Sequence, residues 1–135
     1  MNTYNVNDEN FINSTLYQNF IRQNPEAGYL KIRAYAASSA IPIEGLKVVV
    51  SKVIDNNNII FFEGYTDSSG VIEKISLPAP ILDPNNMNKP GNIVYDLTTT
   101  YIPDNVSSKF IIRIYEGIYV IQNINVVPDM KLGGI

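Results

Sequence analysis

Apolar and polar side chains alternate strictly from Gly28 onward, and this alternation constrains the fold more than any other feature of the chain. The apolar set repeats at every second residue and consists of Leu30, Ile32, Ala34 and Ala36. The set between them is polar or amphipathic and consists of Tyr29, Lys31, Arg33 and Tyr35. A period of two is that of a β-strand with one buried face. The segment after Gly28 is therefore predicted to be the first strand of a sheet.

Further short strand-like runs follow, and turn residues separate them. The later predicted strands are Val48–Ile54, Ile59–Thr66, Val71–Leu77 and the segments 93–101, 109–116 and 119–127. The proline-rich stretch 78–91 is expected to be a long loop, because proline lacks the N–H that a sheet requires. Seven short strands joined by turns are typical of a Greek-key sandwich. We predict an all-β, seven-stranded Greek-key, Ig-like sandwich with one N-terminal amphipathic helix.

That helix is predicted over residues 8–22. Its apolar stripe consists of Phe11, Ile12, Leu16, Phe20 and Ile21. Asn7 or Asp8 can cap its start, and Pro25 ends it. Two interpretations stay open, in which the helix packs on the domain's own sheet or docks on a neighbouring subunit. The predicted organisation is an arm at 1–27, a sandwich domain at 28–128 and a tail at 129–135.

The turn Thr66-Asp67-Ser68-Ser69-Gly70 is the most conspicuous polar motif. In a catalytic interpretation, Ser68 or Ser69 would be a nucleophile with Asp67 as its partner, but a serine nucleophile needs an adjacent base. The chain has no histidine, the commonest base near neutral pH, and no cysteine. In a structural interpretation, Asp67 opens a tight turn and Gly70 closes it. We favour the structural interpretation.

Two other arrangements of acidic residues are candidate sites. Glu63 and Glu73 lie on strands expected to form one hairpin, and glycosidases use such carboxylate pairs. The adjacent Lys74 instead favours a surface ion cluster. The acidic residues near loops are too widely spaced for a calcium loop. We therefore expect no catalytic residue, no cofactor and no metal site, and predict that the chain is not an enzyme.

The charge balance excludes two classes of partner. The net charge of -3 and the charged fraction of 17% give no basic footprint for nucleic acid. The sequence also lacks a lysine-rich amphipathic face or an apolar run long enough for a membrane. The first ten residues, MNTYNVNDEN, are polar and acidic, unlike a signal peptide, so synthesis in a bacterial cytoplasm is expected.

Four segments of the sandwich region together resemble a known family. They are Gly28–Tyr35, Ile41–Val48, Thr66–Gly70 and Leu77–Pro80. Their order is similar to that in the carboxypeptidase-regulatory-like, prealbumin-type (transthyretin-type) domains of clostridia and their mobile elements. The resemblance covers about residues 24–127. It implies a non-catalytic β-sandwich, similar to the non-catalytic part of spore-cortex-lytic proteins.

These observations predict a non-enzymatic structural subunit of a larger assembly, namely a bacteriophage or phage-tail-like particle, as a capsid decoration, tail or baseplate component. The alternative is a cell-wall or spore-envelope binding module. The expected partners are other protein subunits, in a homo-oligomer or a multi-protein particle, and the protein is expected to end in a virion or phage-like particle. The candidate interface residues are Phe11, Leu16, Tyr17, Phe20, Pro84, Met87, Pro90, Tyr95, Tyr101, Tyr119, Met130 and Leu132.

Overall fold

A computed structural model describes residues 1–37, 40–83, 85 and 91–127 and shows two β-sheets around a shared core. The strands are β1 (Thr3–Asn5), β2 (Glu26–Ala36), β3 (Ile41–Pro42), β4 (Leu46–Ile54), β5 (Asn57–Tyr65), β6 (Val71–Ala79), β7 (Asn92–Tyr101), β8 (Val106–Tyr115) and β9 (Tyr119–Asn125). The helices are α1 (Glu9–Ile12), α2 (Thr15–Gln23) and a 3₁₀ turn (Ile102–Asp104).

The strands are divided between a five-stranded sheet and a smaller one. In the first, called sheet A, the order is β1-β5-β4-β7-β8, and only the short β1 runs parallel to its neighbour. In the second, called sheet B, β2 pairs antiparallel with β6 and parallel with β9, while β3 pairs with the end of β2. The predicted sandwich is confirmed, and β2 and β4–β9 correspond to its seven predicted strands.

The described part of the chain has nine strands, so the predicted number of seven is corrected. The two additional strands are β1, three residues long, and β3, two residues long. Both are too short to show an alternation of apolar and polar residues. Each forms by pairing with a longer strand, β5 for β1 and the preceding β2 for β3, and two or three residues alone do not indicate such pairing.

The core contains side chains from both sheets and from the N-terminal helices. Leu30, Ile32, Ala34 and Ala36 are all buried, as their alternation predicts. Tyr95 of β7 is fully buried, and its hydroxyl donates a hydrogen bond of 2.6 Å to the Pro78 carbonyl of β6. Burial raises the pKa of the Tyr95 phenol. This hydrogen bond links the two sheets through the interior.

Pro78 itself lies in a strand, which corrects the prediction that the proline-rich loop begins there. Pro78 is paired with Ala27 of β2, and β6 continues to Ala79. Since β6 is at an edge of sheet B, a residue without an N–H is tolerated in it. Residues 84 and 86–90 of the predicted loop lie outside the described residues, as does the tail from 128 onward.

The N-terminal segment forms two helices, where one was predicted. Asp8 caps α1 by accepting a bond of 2.9 Å from the Asn10 N–H, and Ser14 caps α2 by accepting one of 3.3 Å from the Tyr17 N–H. A cap at Ser14 starts a new helix within the apolar stripe. Phe11 and Phe20 are buried in the chain's own core, so the first interpretation of the arm is confirmed. No helix in the described ranges has the length and apolar character needed to cross a membrane.

The Thr66–Gly70 turn is a structural element that joins both sheets. The Thr66 hydroxyl is buried, donates to the Ile43 carbonyl at 2.7 Å and accepts from the Leu46 N–H at 2.9 Å. Gly70 has a φ of +76°, and a Cβ there would lie 2.4 Å from the Ala34 carbonyl oxygen. Only glycine fits this position, which confirms the structural interpretation of the motif.

Candidate functional site

The outer face of sheet B is the surface on which aromatic rings and cations are concentrated. It is built first from the outward residues of β2, which are Tyr29, Lys31, Arg33 and Tyr35. They face outward because the residues between them are buried in the core. We refer to this surface, together with the outward residues of β6 and β9 beside it, as the B face.

A β-bulge in β6 adds two neighbouring polar residues to the B face. Leu30 pairs with Ile75 and Ile32 pairs with Ile72, so two residues of β6, Glu73 and Lys74, lie opposite the single Lys31. A bulge of this kind interrupts the alternation and redirects side chains. Both Glu73 and Lys74 are exposed, whereas a regular strand would turn one of them into the core.

One row of side chains crosses all three main strands of the sheet. The Lys74 ammonium lies 4.6 Å from the centroid of the Tyr29 ring. On its other side Tyr29 stacks with Tyr119 of β9, with centroids 5.0 Å apart and ring planes at 26°. Tyr119 is 54% exposed, so a large part of its ring is accessible to solvent. The row Lys74–Tyr29–Tyr119 thus combines a cation with a solvent-accessible aromatic surface.

The remaining charges on the B face are predominantly positive. Lys31 forms an ion pair of 3.3 Å with Glu73, whose side chain is 77% exposed. Arg33 is exposed, and within the described ranges its guanidinium has no hydrogen-bonding or ionic partner. Three cations therefore share this face with one carboxylate, on a chain whose net charge is -3. Such a local excess attracts anions even when the whole molecule is acidic.

The B face was not predicted as a site, although one signal of it is present in the sequence. The polar pair Glu73–Lys74 is flanked by Ile72 and Ile75, and this interrupts the alternation of β6. Two polar residues between two inward isoleucines indicate a bulge. The stacking of Tyr29 on Tyr119 has no such signal, because it depends on the parallel pairing of β2 with β9.

The structure separates the two carboxylates considered as a catalytic pair. Glu63 is in β5 of sheet A and Glu73 in β6 of sheet B, so the predicted hairpin between these strands does not form. Each forms an ion pair with a lysine of its own sheet, Glu63 with Lys47 at 3.5 Å and Glu73 with Lys31. The interpretation as surface ions is confirmed, and a glycosidase-type pair is excluded.

The predicted interface residues fall into four groups. Phe11, Phe20 and Tyr95 are buried in the core, which corrects the expectation that they face a partner. Leu16, Tyr17 and Tyr101 are half-buried and pack against that core. Tyr119 is exposed and is the one residue of the predicted set that lies on the B face. The remaining residues lie outside the described part of the chain, and they are Pro84, Met87, Pro90, Met130 and Leu132.

Comparisons with known proteins identify the fold. No family model matches the sequence, and no curated protein matches it. Among solved structures, Klebsiella pneumoniae 5-hydroxyisourate hydrolase is similar with a TM-score of 0.53 and 16% identity, over 76% of this chain and 91% of the hydrolase. Transthyretin from Sparus aurata has a TM-score of 0.44 and 13% identity, over 72% of this chain and 90% of transthyretin, a likeness too weak for argument.

The first likeness shows that the sandwich has a prealbumin-like fold, as the sequence resemblance implies, and it leaves the clostridial part of that resemblance unsupported. The predicted function as a component of a phage or phage-tail-like particle is wrong, because the fold is one that 5-hydroxyisourate hydrolase, an enzyme, also has. Neither a particle component nor a wall-binding module is supported. The expectation of a non-enzymatic chain is in tension with the same finding, although 16% identity shows a common fold alone.

Proposed function

We propose that this protein binds a small, planar, anionic ligand on the B face. The observation on which the proposal depends is the row Lys74–Tyr29–Tyr119, in which Tyr29 lies between a cation and the accessible Tyr119 ring. Arg33 lies four residues further along the strand of Tyr29. A planar conjugated ligand stacks on the exposed Tyr119 ring. Its negative charge is then attracted by Arg33 and Lys74.

Arg33 contributes more to this proposal than Lys31 does. A guanidinium that has no ionic partner can donate two parallel hydrogen bonds to a carboxylate or an enolate-type anion. Lys31 is instead held by Glu73, so an anion would have to compete with that carboxylate. Lys31 lies between Tyr29 and Arg33 along β2 but is paired toward β6. The proposed ligand therefore lies on the β9 side of the B face, between Tyr119 and Arg33, and the Lys31–Glu73 pair bounds it on the β6 side.

The likeness to 5-hydroxyisourate hydrolase is consistent with a ligand of this size, since that protein's name specifies a small-molecule substrate. We restrict the proposal to binding, because hydrolysis also requires a group that activates water, and the carboxylate described on the B face, Glu73, is paired with Lys31. The narrower clostridial assignment and the association with other protein subunits stay predictions.

Urate is a suitable probe, because it is planar and a monoanion at neutral pH. Titration followed by amide NMR should shift resonances of β2, β6 and β9, with a dissociation constant on the order of 0.1–1 mM for a ligand of this size on an open face. Tyr119→Ala should weaken binding about five-fold by removing the stacking surface. Tyr65→Ala is the matched control, since Tyr65 of sheet A is 55% exposed and lies off the B face.

The charge requirement is tested with a second matched pair. Arg33→Gln should weaken urate binding several-fold, whereas Arg113→Gln, an exposed arginine on β8 of sheet A, should leave it unchanged. Absence of shifts on the B face, or equal effects of the two arginine substitutions, would contradict the proposal. Incubation with 5-hydroxyisourate adds a readout of catalysis, in which consumption above the spontaneous rate would extend binding to turnover.

A further inference from the structure

A second concave site lies in the N-terminal segment and shares no residue with the B face. It is a cavity of about 250 Å³ between β1, the two helices and the first residue of β5. Its main lining residues are Tyr4, Asp8, Phe11, Leu16 and Asn57. Drug-sized ligands occupy pockets of roughly 300–1,000 Å³, so this cavity suits a smaller molecule.

The floor of the cavity is aromatic and firmly supported. The rings of Tyr4 and Phe11 stack with centroids 5.0 Å apart and planes at 11°. Phe11 is only 5% exposed, and Leu16 packs against the core beside it. A cavity of about 150 Å³ lined by apolar side chains is enough to hold benzene. The floor therefore offers space and contacts for one aromatic ring with a short substituent.

The rim of the cavity is polar and has a single formal charge. Asp8 Oδ1 accepts the capping hydrogen bond from the Asn10 N–H at 2.9 Å, and within the described ranges its other carboxylate oxygen has no partner. Asn57 donates its amide N–H to the Asp55 carbonyl at 2.9 Å, which leaves its side-chain oxygen as an acceptor. No Lys or Arg is among the described lining residues. The rim thus favours a ligand that donates hydrogen bonds and has a positive charge.

We infer that this cavity binds an arylalkylamine, a primary ammonium joined to one aromatic ring by a short chain. The ring lies on the Tyr4–Phe11 floor, and the ammonium faces the free oxygen of Asp8 and the Asn57 side-chain oxygen. Apolar contact and an ion pair at the rim then act on the two ends of the same molecule. The inference is independent of the proposed anion site, because the two sites lie on different elements and prefer opposite charges.

The test compares two ligands that differ only in charge. 2-Phenylethylamine and its neutral analogue 2-phenylethanol are titrated into the full chain and followed by amide NMR. We expect the amine to shift resonances of Tyr4, Asp8, Leu16 and Asn57 with a dissociation constant on the order of 1 mM. The alcohol should bind the same place about three- to five-fold more weakly, the factor expected for an exposed ion pair.

Asp8→Asn is the decisive variant, because asparagine also caps helices and so keeps α1 while removing the charge. It should abolish the preference for the amine over the alcohol. Glu9→Gln is the matched control, since it removes one negative charge at the next residue, which does not line the cavity. Tyr4→Ala should weaken the binding of both ligands, because it removes part of the aromatic floor. Circular dichroism of each variant checks that the helices remain.

Four results would overturn the inference. They are no shifts at the cavity with either ligand, equal affinity for amine and alcohol, a preference that survives Asp8→Asn, and an equal loss of preference in Glu9→Gln, which would indicate general electrostatic attraction. Tyr119→Ala should leave amine binding intact. Failure of this inference is therefore distinguishable from failure of the proposed anion site.

Discussion

Within the described residues each sheet has one β-bulge, and the two bulges have opposite consequences. In β6 of sheet B, Glu73 and Lys74 lie opposite Lys31, and both polar side chains point to solvent. In β5 of sheet A, Val50 pairs with Phe62 and Ser51 with Ile60, which leaves Phe61 as the extra residue. Phe61 is buried, and Phe62 packs against the core as well.

The difference shows how one backbone irregularity serves either surface chemistry or packing. The bulge of sheet B places a lysine over Tyr29 and a carboxylate beside Lys31. The bulge of sheet A places the Phe61 ring against Tyr95 and Phe20, with ring centroids 5.1 Å and 5.4 Å away. The helical segment therefore packs on the sandwich through Phe61. The residue types at the bulge decide which outcome follows, because apolar side chains are stabilised in the core and charged ones in water.

The largest effect is expected from removing the aromatic ring at the sheet A bulge. Phe61→Ala should lower the free energy of unfolding by about 3–5 kcal/mol, because it leaves a cavity among Tyr95, Phe20 and Tyr17. Urea denaturation measures the loss. Phe62→Ala, at a half-buried ring, should cost clearly less. Equal losses for both variants would show that the bulge does not select Phe61 for the core.

A smaller loss is expected at the hydrogen bond that links the sheets. Tyr95→Phe keeps the ring that contacts Phe61 but removes the hydroxyl that donates a hydrogen bond of 2.6 Å to the Pro78 carbonyl. The expected cost is about 1–2 kcal/mol in the free energy of unfolding. Tyr65→Phe, at an exposed tyrosine, should have no measurable cost. Unchanged stability of Tyr95→Phe would mean that water or another donor satisfies this carbonyl.

At the sheet B bulge the effect should fall on binding, with little change in stability. Lys74→Gln removes a cation over an exposed ring and should change the free energy of unfolding by less than ~1 kcal/mol. The same variant should weaken urate binding about three-fold. Lys109→Gln, at an exposed lysine of β8 in sheet A, is the control for net charge. A large loss of stability in Lys74→Gln would show that this bulge also serves packing.

The smallest effect is a pH dependence that arises in sheet A. Burial lowers the pKa of Lys52, an effect that the nearby Asp96 partly opposes, and its ammonium donates to the Val94 carbonyl at 2.8 Å. Between this lowered pKa and the ordinary value of about 10.5, the unfolded chain binds more protons at Lys52 than the folded chain. Lys52 should therefore make stability rise with pH through that window.

Lys52→Met tests this contribution directly. The variant lacks this rise of stability with pH. The unfolding free energy of the parent should therefore increase relative to that of the variant between pH 8 and pH 10.5. The comparison between two chains is needed because the other ionisable groups, which are common to both chains, also contribute to the pH dependence of stability. Parallel pH profiles in urea denaturation would contradict the expectation.

Much of the fold follows from local patterns in the sequence. The alternation in Leu30, Ile32, Ala34 and Ala36 defines a buried strand face, and the Thr66–Gly70 turn is recognisable from its Asp and Gly. The amphipathic N-terminal stripe predicts helix, although the stripe alone does not indicate the serine cap that divides it. These features depend on residues a few positions apart, so a single sequence contains the information.

The candidate sites depend on pairings between distant strands. Sequence alone determined that Tyr29, Lys31 and Arg33 share one outward face of a strand. Only the tertiary structure decided that Tyr119 stacks on Tyr29, that Glu63 and Glu73 belong to different sheets, and that Tyr4 lies on Phe11. The physical reason is that side-chain direction along a strand is set locally by the pleat. Which strands become neighbours is set instead by the requirement that all strands together enclose one core.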